Sequence, residues 1–320
     1  MNLPYSTRRR RLRGLLDSLL DECSSREALD DAAAELYDLF LSISGGHSSA
    51  DTALASGTAL SPSAAATCTR DGMRTAMFAR GLRDAIAEAQ RRFRGETIEV
   101  LYAGTGPFAA LAVALMTILS ASEVRFTLID CHEESLASVR TVLRHFGFKK
   151  FVRAIVAADA SVYRLSTQVH VVVAEMMQRA LGVEPQVEVF RNLASQLRAN
   201  AILVPEQVTV DLVLGDPQLA PGSFVGTVAE LSDAMLCAPD RRNRIDVRTL
   251  TLGRVPLAAS AMYATTIRAF GRHVLREFDS GLTHPEVVRD LLNLREGERI
   301  AFWYEIGARP GIRWERVAQT

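Results

Sequence analysis

Between residues 98 and 205 the chain alternates short apolar runs with amphipathic stretches. The runs IEVLYA, RFTLID, VRAIVAA, VHVVVAE and AILVPE are separated by helical patterns near 107–121, 133–147 and 185–199. Uninterrupted apolar runs of this length are strands covered on both faces, and strands alternating with helices make βαβ units and a parallel sheet. Upstream, Leu12, Leu15, Leu16, Leu19 and Leu20 form one helical stripe, and Leu29, Ala33, Leu36, Leu39 and Phe40 form another. This spacing predicts a helical hairpin over 8–42, and a further helix follows over 71–93. After Pro205 the period shortens to two in VTVDLVL, RIDVRTLTL, ATTIRAF, RHVLREF, RIAFWYEI and IRWERV. Such runs predict an antiparallel, barrel-like sheet. Residues 43–69 are small and polar, as befits a flexible linker or a flap. The chain therefore divides into helices at 1–42, a linker at 43–69, an α/β unit at 70–205 and a β-rich unit at 206–320.

Composition narrows the classes. Of the 320 residues 48% are hydrophobic and 23% charged, which excludes wholesale disorder. Lys+Arg and Asp+Glu both total 37, so the basic excess of a nucleic-acid-coating protein is missing. Cys23, Cys68, Cys131 and Cys237 are scattered, with no CxxC and no histidine at ligand spacing. Neither a metal site nor a disulfide framework is expected, and a reducing cytoplasm is the expected location. No apolar run reaches the ~18 residues of a membrane span. The basic start resembles a leader, but Asp17, Asp21 and Glu22 interrupt its apolar part. Arg8 to Arg11 and Arg13 read as a solvated helix start.

The candidate chemistry lies at the strand ends. IEVLYA runs into Gly104-Thr105-Gly106-Pro107 and then a helix. Glycines there let a ligand approach the backbone, although a tight structural turn reads the same way. Asp130 ends the next strand, where an acid grips a ribose diol or, alternatively, caps the following helix. A full GxGxxG and a second nucleotide-binding half are both missing, which favours S-adenosylmethionine over a dinucleotide. After the fourth strand, Glu175 and Glu184 bracket an apolar loop. On a regular helix that spacing would put them on opposite faces, as simple solvated charges.

Several stretches together resemble the protein arginine methyltransferases. DGMRT at 71–75 is similar to the family's Asp-x-x-Arg-Thr, LYAGTGPF to its glycine motif, and AEMMQRALGVE to its double-glutamate loop. ILVPEQVTV resembles its passage into a β-barrel, and Gly281-Leu282-Thr283-His284-Pro285 its Thr-His-Trp loop, with Pro285 where tryptophan is usual. The resemblance implies a class I methyltransferase with a Rossmann-like sheet, N-terminal helices and a C-terminal antiparallel β domain. It implies S-adenosylmethionine bound by Arg74, Gly104, Gly106, Asp130 and Asp159, the last with Ala158 beside the adenine. It further implies that Glu175 and Glu184 clamp a guanidinium while His284 bonds a clamp residue or relays a proton.

Two departures shape the expected substrate. The aromatic signature ahead of Asp-x-x-Arg is replaced by the 43–69 linker, and the 206–320 unit is short and has no helical dimer arm. Free L-arginine is therefore the expected acceptor, as for the stand-alone arginine Nω-methyltransferases of nitrosourea (streptozotocin-type) natural-product pathways. A homodimer would then form through the N-terminal helices. Peptide arginine, another small amine, and a non-catalytic adenosyl-binding module that docks a partner are the alternatives.

Overall fold

The computed structural model describes residues 4–216, 222–237, 243–256 and 259–318; the outer ends of the expected 1–42 and 206–320 units lie outside the described residues. The chain begins with α1 (Tyr5–Leu20), α2 (Arg26–Ser44), the hairpin β1 (Thr52–Leu54) and β2 (Gly57–Ala59), α3 (Pro62–Cys68) and α4 (Gly72–Arg92). Next come β3 (Ile98–Ala103), α5 (Ala110–Leu115), β4 (Val124–Asp130), α6 (Glu133–Phe146), β5 (Val152–Ala157), β6 (Val171–Ala174), α7 (Gln186–Ala194) and β7 (Ile202–Val204). The last part holds β8 (Gln207–Gly215), β9 (Ser223–Leu231), α8 (Asp233–Cys237), β10 (Arg244–Thr251), β11 (Ser260–Phe270), β12 (His273–Leu275), β13 (Glu286–Val287), β14 (Arg299–Glu305) and β15 (Gly311–Arg316).

β3 to β7 form one parallel sheet in the order β5-β4-β3-β6-β7. The order reverses at β3, and in open α/β sheets a ligand crevice opens beyond the strand ends at such a point. Register sets what faces it. Ala103 pairs with Ile129 on one side and Ala174 on the other. The next residue on each strand, Gly104, Asp130 and Glu175, therefore leaves the sheet at one level.

The N-terminal helices serve the chain's own core. Leu12, Leu16 and Leu19 of α1 and Leu29, Ala33, Leu36 and Phe40 of α2 are all buried. α1 and α2 pack on each other, on α4 and on α6, so their apolar stripes are covered within the chain. The basic run is also partly engaged. Arg8 donates to the carbonyl of His145, and Arg9 to those of Phe146 and Gly147, which satisfies the carbonyls that end α6.

The stretch 43–69, expected as linker or flap, contains β1, β2 and α3. Ser61 caps α3 by accepting the Ala64 amide, with Pro62 in its first turn. In the C-terminal part, β12-β11-β8-β9 form one antiparallel sheet, with β13 on β11, and β10-β14-β15 form another. β9 packs on β10 and β14, and Phe302 and Tyr304 are fully buried. β9 and β13 had no counterpart among the sequence-predicted strands. No described helix is long and apolar enough to cross a membrane.

Candidate active site

Beyond the ends of β3, β4 and β6 lies a cavity lined by Arg74, Gly104, Gly106, Asp130, Asp159, Glu175 and Glu184. The glycine turn requires its glycines. Gly104 and Gly106 have φ of 69° and 58°, and a Cβ on Gly104 would lie 2.3 Å from the Met176 sulfur. Asp130 is buried, and its Oδ2 accepts from the Gly106 amide at 2.9 Å while Oδ1 accepts from His132 N at 2.9 Å. The acid thus fixes the turn beside it. Asp159 Oδ1 accepts from the amide and hydroxyl of Ser161 at 2.8 and 2.7 Å.

Arg74 sits in the first turn of α4, whose cap is Asp71: Oδ1 accepts the Arg74 amide at 3.0 Å. The other oxygen of Asp71 accepts from Ser280 Oγ at 2.7 Å and Gly281 N at 3.0 Å. A loop of the C-terminal part therefore braces the helix start that carries Arg74. The Arg74 guanidinium holds Glu175 Oε2 through both Nε, at 2.8 Å, and Nη2. Both side chains are nearly covered, at 13% and 12% exposure. Burial disfavours the charge on Arg74, but the facing Glu175 outweighs it, and the guanidinium is held more firmly protonated than usual.

Glu175 is left with one oxygen, Oε1, that is buried without a hydrogen-bond partner. Burial pushes its carboxyl up, and Arg74 opposes that rise. Glu184 is 5% exposed. Burial first, and the neighbouring Glu175 second, push its carboxyl up to about 8. Two acids thus line one cavity, and Arg74 is bonded to the first of them. Such a site holds an unmet demand for a cationic hydrogen-bond donor.

The loop between the acids is pinned. Gln186, fully buried, accepts the Met176 amide at 2.8 Å and donates to the Ala174 carbonyl at 3.0 Å. Ala180, Leu181 and Val183 have positive φ of 54°, 56° and 67°, a strained state that the surroundings maintain. Thr265 Oγ1 accepts the Ala180 amide, the Tyr304 hydroxyl donates to the Leu181 carbonyl, and the Val183 amide donates to Pro310 O. β11, β14 and the connection before β15 therefore set the shape of the acid loop.

The fold has a solved counterpart. A structure titled Trypanosoma brucei PRMT1 enzyme-prozyme heterotetrameric complex with AdoHcy matches with a TM-score of 0.54 and 15% identity, over 79% of this chain and 92% of that one. At that identity the likeness concerns the fold alone: a parallel sheet of Rossmann type, N-terminal helices and a C-terminal antiparallel β part. No protein-family profile and no curated protein sequence matches the chain.

His284 is the one sequence-predicted residue that the structure does not bring to the cavity. It is exposed and stands edge-on to Phe278, with centroids 5.4 Å apart. The Gly281–Thr283 turn points a different group inward, Ser280, which bonds Asp71. Sequence reasoning also missed Gln186, the cavity-lining Leu54, Leu60 and Cys68, and His132. Asp130, Cys131 and His132 place their ligand-type atoms within 4.8 Å of one another, a run of consecutive residues that CxxC-type spacing does not describe. All three are already engaged, Cys131 through its Sγ, 3.4 Å from His132 Nδ1. His132 bonds Asp130, and its Nε2 lies 2.9 Å from Thr52 Oγ1.

Proposed function

We propose that the chain is an S-adenosylmethionine-dependent N-methyltransferase acting on the guanidino group of arginine, with free L-arginine as the acceptor. The observation that carries this reading is the unpartnered, buried Glu175 Oε1 beside the buried Glu184. A guanidinium offers planar paired donors and a positive charge, the complement of two such carboxyls. The rest of the cavity suits the cofactor. Each Asp130 oxygen has capacity left to accept a ribose hydroxyl, the Gly104 turn admits close approach, and Arg74 keeps donors beyond those on Glu175. The solved structure with this fold carries AdoHcy, which supports the same cofactor here.

S-adenosylmethionine supplies an electrophilic sulfonium methyl. Glu175, fixed by Arg74, would orient the acceptor through Oε1, and Glu184 would take the opposite edge of the guanidinium. Holding the acceptor in line is worth several kcal/mol of barrier in a site of this kind. As the nitrogen–methyl bond forms and the carbon–sulfur bond breaks, the guanidino nitrogen releases one proton. Glu184, its carboxyl pushed up to about 8, would accept it in its deprotonated form. The resemblance noted above supports a setting in natural-product biosynthesis.

The test incubates the protein with labelled S-adenosylmethionine and free L-arginine, and identifies the product by mass spectrometry. Methyl transfer to a guanidino nitrogen is expected, with Glu175→Gln and Glu184→Gln each nearly inactive yet still binding the cofactor. Cofactor binding without transfer to any guanidine would favour an adenosyl-binding module instead.

A further inference from the structure

The segment joining α2 to α4 is fastened across the cavity at both ends. At the cofactor edge, Glu134 in the first turn of α6 accepts the amide and hydroxyl of Ser48, and His47 Nδ1 lies 3.7 Å from it. Thr52 is tied to His132, which in turn bonds Asp130. At the other edge, the Thr58 amide donates to the Val183 carbonyl at 2.9 Å, one residue before Glu184. Gly57 makes this contact possible: with φ of 141°, a Cβ there would lie 2.7 Å from Val183 O and 3.3 Å from the Glu184 carbonyl carbon. Leu54, Ala59 and Leu60 of the same hairpin region line the cavity.

An arginine within a polypeptide carries main chain on both sides, and an extended segment needs open backbone partners or a trough past the acids. Along this loop both backbone groups of Val183 are already taken, the carbonyl by β2 and the amide by Pro310. A free guanidino acid brings no flanking chain and needs neither group. We infer that the β1–β2 hairpin is the specificity element of the site, closing its acceptor side to polypeptides and leaving it to small guanidines. The inference rests on the guanidino reading above.

Two substitutions loosen the hairpin without touching a cavity-lining residue. Thr58→Pro deletes the donor to Val183, and Glu134→Ala removes the anchor of Ser48 while leaving the hairpin's own backbone intact. Initial rates are measured with L-arginine and with an acetylated, amidated Gly-Arg-Gly peptide. The wild type should favour L-arginine by about 100-fold in kcat/KM. Each variant should raise the peptide's kcat/KM roughly tenfold, with a smaller change for L-arginine. A wild type that accepts the peptide as well as L-arginine, or an unchanged ratio in both variants, overturns the inference. Equal transfer to both acceptors by the wild type removes this inference alone, whereas transfer to neither removes the guanidino reading and the inference with it.

Discussion

Glu184 carries the pH dependence of the site. Burial and the adjacent Glu175 raise its carboxyl to about 8, so the group holds its proton at neutral pH until a cation arrives. On the proposed reaction, turnover of a guanidinium acceptor should climb as pH rises through about 8 and then level, and Glu184→Gln should lose that limb along with most activity. Stability has the opposite sign. The folded value lies above the ordinary 4.5, so between the two the native chain holds a proton that the unfolded chain has released. Stability from this residue is full below 4.5, falls as pH rises through the window, and stays reduced above 8. Thermal melts across that range should show a shallower decline for Glu184→Gln than for wild type. Arg74 supports the neighbouring acid. Arg74→Ala would leave Glu175 nearly buried and unpaired, a loss of about 3 kcal/mol in chemical denaturation. The double substitution Arg74→Met with Glu175→Met should recover most of that loss, and a double variant as weak as Arg74→Ala would contradict the pairing.

At the scale of elements, the acid loop works because its two ends are tied together. Gln186 bonds the backbone on both sides of Glu175, and it is fully buried, so no water replaces it. Gln186→Leu should lower stability by about 2 kcal/mol, read from a urea midpoint. It should also lower kcat while leaving cofactor affinity, read by calorimetric titration, nearly unchanged. An altered cofactor affinity with normal kcat would show that the loop end serves the other half of the cavity. The strand tips were legible in the sequence because parallel register is strict. Once IEVLYA, RFTLID and VHVVVAE are aligned as neighbours, Gly104, Asp130 and Glu175 must emerge together. The hairpin of β1 and β2 was not legible. Its strands are three residues each, built of small side chains, and its anchors lie 86 and 80 positions away on α6 and His132. His284 stands outside the cavity lining for a related reason: position in a motif does not set the direction of a side chain, and here Ser280 faces the helix cap instead.

Over the whole molecule, the helical hairpin shows how one pattern serves two architectures. A leucine stripe on an N-terminal helix reads the same whether it meets a second copy or the chain's own sheet layer. Here the second case holds: Leu16 is fully buried, and its helix packs on α2, α4, α5 and α6. What α1 and α2 present outward is charge, with Arg10, Arg11 and Arg13 on one and Glu27, Asp31, Glu35 and Asp38 on the other, all exposed. The two arrangements respond differently to one substitution. At an intersubunit stripe, Leu16→Asp would separate folded monomers. In an intrachain core it would place an unpaired carboxylate among apolar side chains at a cost of about 4 kcal/mol or more, set against a total stability of roughly 5–15 kcal/mol. Leu16→Asp should therefore melt early and broadly by circular dichroism, and lose the candidate site with the fold, because α4 carries Arg74 on the layer that α1 covers. A variant that sediments as a smaller species with a native melting profile would instead assign the stripe to a subunit interface.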